Sequence, residues 1–148
     1  MSSLLIKIHK VHECLNMICD VESTLFNIGL FSIFKKKNYP KYEKNLQVEY
    51  HKLTALYNEI DIYFGKHSGV DQFILCSKEY ISALLKSTNQ LIIVNNRLSI
   101  KANKGDYTLK QYNEDLALFN KLQDEYCKLG DQMNIYYKLY ANEIMDLN

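Results

Sequence analysis

Between residues 46 and 64 the chain places Leu46, Tyr50, Leu53, Tyr57, Ile60 and Phe64 at steps of four, three, four, three and four. That spacing lines one face of an α-helix. It cannot line one face of a strand, which needs every second residue. The same period runs through the rest of the chain. Leu4, Ile8, Val11, Leu15 and Ile18 open a first ladder that extends to about Phe34. A third carries Val70, Ile74, Ile81, Leu84, Leu91 and Leu98, and a fourth runs from Leu109 through Tyr112, Leu116, Phe119, Tyr126, Met133, Tyr137, Tyr140 and Ile144 to Leu147. One proline and five glycines leave few places where a helix must stop. Pro40 suits a first helical turn, Gly65 and Gly69 bracket a turn, Gly105 ends the third ladder, and Thr108 with Gln111 forms a capping-box pair. No segment alternates strictly in the manner of a strand. The expected fold is therefore all-α: a single domain over residues 1–148, built as an antiparallel up-down-up-down four-helix bundle with long helices at about 3–34, 40–65, 70–104 and 108–147.

Antiparallel order places the first and third connections at the same end. The first contains Lys35, Lys36, Lys37, Lys41 and Lys44 with Tyr39 and Tyr42; the third contains Lys101, Lys104 and Tyr107, flanked by Arg97 and Lys110. The other end holds His67, Glu143 and Asp146. A chain of formal net charge +1 is thus expected to be polarised along its axis. Beside the lysines, Phe26, Leu30 and Ile33 add a second apolar stripe to helix 1, and Phe31 and Phe34 widen it. Leu91 to Val94 does something similar on helix 3 at about the same height.

Familiar catalytic and metal-binding patterns are absent from the sequence. No Glu-x-x-His occurs, so the carboxylate-bridged di-iron pattern is missing. His9, His12 and Glu13 share a helix face but read as a solvated flank, as do the pairs Glu59/Asp61, Glu114/Asp115 and Asp124/Glu125. There is no phosphate-binding glycine loop. Cys14, Cys19, Cys76 and Cys127 lack zinc-ligand spacing and read as reduced, buried thiols. The start of the chain lacks a secretory pattern, and its longest apolar run is too short to span a bilayer, so a cytoplasmic chain is expected.

One break in the pattern stands out. The first ladder continues from Ile18 onto Glu22 and Gly29. Supercoiling would move the core line between neighbours and make both residues flanking. Alternatively they mark a polar layer: counting helical rise aligns Glu22 with Thr88 and Gly130, and Gly29 with Asn95 and Gln123.

These features predict a non-catalytic protein-binding module of the adaptor, accessory or immunity type, with neither cofactor nor metal. Its expected partner-binding residues are Phe26, Leu30, Phe31, Ile33, Phe34, Lys35, Lys36, Lys37, Tyr39, Tyr42, Lys101, Lys104 and Tyr107. The partner is another protein or a second copy of the chain. The alternatives are a nucleic-acid or anionic-surface binder using the basic end, and a small-ligand or metal-binding bundle built on Glu22, Thr88, Asn95 and Gln123.

Overall fold

The computed structural model describes residues 2–26 and 37–147. They form α1 (Ser3–Leu25), α2 (Tyr39–Glu59) continued by a 3-10 turn at Ile60–Tyr63, α3 (Ser68–Ala102), α4 (Leu109–Leu139) and the short α5 (Ala141–Met145). No strand occurs among the described residues, and the helices pack on one another as an all-α bundle. Cross-links between elements fix the antiparallel order. Lys7 near the start of α1 pairs with Glu59 at the end of α2 at 2.8 Å. Asn95 late in α3 donates to the Tyr39 carbonyl at the start of α2 at 3.0 Å. The Cys76 thiol early in α3 donates to the Leu129 carbonyl late in α4 at 3.6 Å.

The caps follow the local sequence. Ser2 accepts from the Leu5 amide, Asn38 accepts from Lys41 with Pro40 in the first turn of α2, and the Thr108/Gln111 capping box forms in both directions. At the end of α3 the left-handed residue is Lys104, at φ 63°, rather than Gly105. Gly105 is needed for a different reason: a side chain there would collide with Ile100.

The core centres on α3, which buries seventeen of its 35 residues, whereas α4 buries four of 31. The Leu91–Val94 stretch therefore offers no spare surface: Leu91, Ile92 and Val94 all lie in the interior. Ser77 and Thr88 survive in this apolar setting because their hydroxyls donate at 2.7 Å to the Phe73 and Leu84 carbonyls of their own helix.

Two sequence expectations are corrected. In α2 the buried line is Leu46, Glu49, Leu53, Leu56, Ile60 and Tyr63, while Tyr50, Tyr57 and Phe64 are half-buried at its edge. Both lines share Leu46, Leu53 and Ile60, and tyrosine prefers the edge because its hydroxyl needs a partner or water. The fourth helix also stops at Leu139 and not near residue 147. Tyr140 leaves helical geometry at φ −124° and ψ 27°, and α5 turns Ile144 and Leu147 back into the core beside the start of α1. The expected helix 1 is described only to its cap at Phe26, so its segment to Phe34 lies outside the described residues.

Candidate functional site

At the lysine-bearing end the structure splits the expected residues into two groups. The first group holds the fold together. Lys37 donates at 2.6 Å to the Leu25 carbonyl, one of the unpaired acceptors at the end of α1, and partial burial pushes its pKa down. Tyr107, expected at the surface, is only 5% exposed. Its hydroxyl donates to Asp115 Oδ2 at 2.6 Å, and Arg97 Nη1 reaches both oxygens of the same carboxylate at 2.7 and 2.8 Å. Gln90 donates to the Asp115 backbone carbonyl at 3.2 Å. Asp115 is thus a buried hub, not the solvated residue that its pairing with Glu114 suggests. Burial raises its pKa, but the bonds from Tyr107 and Arg97 outweigh that and leave the carboxyl below its ordinary value. Burial and the same bond push the Tyr107 hydroxyl up. Tyr39 and Tyr42 meet edge to face at 6.3 Å and pack, half-buried, on the core.

The second group faces solvent. Lys41, Lys44, Lys101, Lys104 and Lys110 are exposed and enter no salt bridge among the described residues. Two carboxylates of this end are used internally: Asp115 by Arg97 and Tyr107, and Glu43 by the Asn96 amide at 3.4 Å. Asp106 and Glu114 remain exposed among the lysines. Leu30, Phe31, Ile33, Phe34, Lys35 and Lys36 lie outside the described residues, whereas Phe26 is half-buried and stacks on Phe119 with ring centroids 5.6 Å apart.

Of the four residues of the expected polar layer, the structure joins Glu22 to Gln123 and gives Thr88 and Asn95 other partners. Glu22 is half-buried and accepts from Gln123 Nε2 at 2.7 Å, two helical turns from the Gly130 with which rise-counting aligned it. The cause is the early end of α4, since counting from residue 147 overshoots. Burial raises the Glu22 pKa, and the Gln123 bond pulls it back in part. Thr88 bonds only its own helix, and Asn95, fully buried, ties α3 to α2, while its Oδ1 has no partner among the described residues. His9 and Glu13 form an exposed pair at 3.4 Å, and no group of three or more metal-ligating side chains occurs among the described residues. All four cysteines are free thiols, but only Cys14 and Cys76 are buried; Cys19 is half-buried and Cys127 is exposed.

Glu49 escaped the sequence reading, and Asp115 was misread. Each stands three residues after one core position and four before another: Leu46 and Leu53 for Glu49, Tyr112 and Phe119 for Asp115. That placement is the signal that could have found them. No helix among the described residues is long and apolar enough to cross a membrane. No family model matches the chain, and no curated protein or solved structure is significantly similar to it.

Proposed function

We propose that this chain is a non-catalytic protein-binding module of the adaptor, accessory or immunity type, and that its recognition surface is the lysine-bearing end. The partner presents acidic side chains there. The reading is carried by one observation: Glu43 and Asp115 are committed to internal bonds, leaving Lys41, Lys44, Lys101, Lys104 and Lys110 exposed, while the exposed carboxylates near this end include Asp106, Glu114 and, late in α1, Asp20. Such a surplus on a chain of net charge +1 steers an acidic surface to one end of the molecule. Lys104 adds support, because a non-glycine residue at φ 63° is held there at a cost that glycine would avoid.

The test is partner recovery from the native host at low salt, with chemical cross-links mapped onto this end. Recovery should be stoichiometric and should fall at least about tenfold in a Lys101→Glu/Lys104→Glu variant of unchanged helicity, consistent with the coupling energies of interfacial charges. A lone monomer at every salt concentration, or unchanged recovery by the variant, would defeat the reading. A nucleic-acid role has less support, because it needs exposed rings on which bases stack. Tyr107 is buried, and Tyr39 and Tyr42 are half-buried against the core. Saturable, salt-sensitive binding of a single-stranded oligonucleotide by the parent chain, lost in the same variant, would favour it instead.

A further inference from the structure

Away from the lysines, α1 and α2 separate around a second feature. Glu49 occupies a position on the buried line of α2 between Leu46 and Leu53, where the fold needs an apolar residue, and is itself 5% exposed. Its charged partner among the described residues is Lys52 Nζ at 3.2 Å, and the Cys14 thiol faces the carboxylate as a weak second donor. The charged partner is poorly anchored: the Lys52 side chain is 59% exposed, against 7% for that of Glu49. Across the gap, Cys14 of α1 brings no compensating charge. Its thiol is pushed up to about 12, chiefly by burial and then by the Glu49 carboxylate. A cavity of about 410 Å³ opens between the helices here, with Glu49, Cys14, Met17, Ala55 and Leu56 among its walls. That volume lies within the usual range for small-molecule sites, roughly 300–1,000 Å³.

The other charges at the cavity are already engaged, exposed or flexible. Glu59 is held by Lys7 at 2.8 Å and Glu13 is solvent-exposed beside His9, while Lys10 and Lys52 are exposed lysines on long stems. A lysine can swing its ammonium into water, but a carboxylate on a short stem in a helix interface cannot. A buried carboxylate with one mobile counter-ion is costly unless a better cation completes it.

We propose that this groove binds an organic monocation, a guanidinium or alkylammonium group on an apolar stem, with Glu49 as its counter-ion and Met17, Ala55 and Leu56 packing the stem. The cation displaces Lys52, excludes water from the carboxylate and gains a charge-assisted hydrogen bond in a dry setting. The source is either a free small molecule or an arginine or lysine side chain of a bound peptide.

The experiment titrates hexylguanidinium and hexylammonium into the full ¹⁵N-labelled chain, with hexanoate and hexanol as controls. Saturable amide shifts should appear in residues 10–17 and 49–59 with the two cations only. Glu49→Gln should weaken binding at least about tenfold, the loss expected for one charge-assisted bond. Glu49→Leu should abolish binding and raise Tm, because leucine completes the buried line of α2. Equal shifts with hexanoate or hexanol, undiminished binding by Glu49→Gln, or a lower Tm for Glu49→Leu would each overturn the proposal; the last would make Glu49 a structural partner of Lys52. A short arginine-containing peptide that binds more tightly than hexylguanidinium identifies a peptide source, and the reverse order identifies a free cation.

Discussion

Asp115 shows how one side chain can change the character of a surface. Its carboxylate gathers Arg97 and Tyr107, two of the residues that give this end its basic and aromatic composition; Tyr107 is thereby buried, and Arg97 has its charge paired although its side chain stays 49% exposed. The arrangement has a pH signature. Because the folded carboxyl lies below its ordinary value, its contribution to stability is complete above that value and is lost as pH falls through the folded pKa. Asp115→Asn should therefore flatten the loss of Tm as pH falls below the ordinary aspartate value of about 4. At neutral pH it should lower Tm by roughly 3–6 °C, since the buried Tyr107 hydroxyl and Arg97 lose their charged acceptor. Thermal melts from neutral pH downward check both parts, and parallel acid profiles for variant and parent would remove Asp115 from the account of acid stability.

At the level of elements, the break between α4 and α5 decides the register of the bundle. The Tyr140 ring lies over Gly69 at the start of α3 and beside His67, with ring centroids 6.1 Å apart. A methyl group at residue 69 would overlap that ring. Gly69→Ala should therefore cost about 1–3 kcal/mol despite its better helix propensity. In a Tyr140→Ala background the same change should cost little, so a double-mutant cycle by denaturant unfolding reads the coupling directly. Equal costs in both backgrounds would mean that the ring moves aside freely. This contact also explains what the sequence could not supply. The helical period, the turns at Gly65–Gly69 and Gly105, and the Thr108 capping box are local and were legible. The end of α4 was not, because Tyr140 continues the apolar ladder in sequence, while its ring packs on a glycine of another element and its backbone leaves helical geometry. The same holds for Glu49 and Asp115. A carboxylate beside a core stripe has the same local sequence whether it is solvated or buried, and Arg97, the partner that decides the matter for Asp115, lies eighteen residues away.

For the whole molecule, the distribution of burial predicts an order of stability. α3 packs against α2, α4 and α1 and is the only one of these helices buried along two adjacent stripes. α1 is held mainly by α2 and α3. Along its seam with α4, cavities of about 230 and 290 Å³ adjoin at His12, Met133 and Asn134. Another cavity, of about 410 Å³, flanks its contact with α2. Detaching α1 therefore exposes less well-packed apolar surface than opening α3, and local opening free energies follow such differences. Native-state hydrogen exchange should find the amides of Ile81–Leu91 released only by global unfolding, while those of α1 exchange through a cheaper opening, at least about tenfold faster, equivalent to 1.4 kcal/mol or more. The denaturant dependence separates the two, because a subglobal opening has a smaller slope than global unfolding. If α1 proved as protected as the centre of α3, with the same slope, the bundle would open as one unit, and the cavities on either side of α1 would carry no energetic weight.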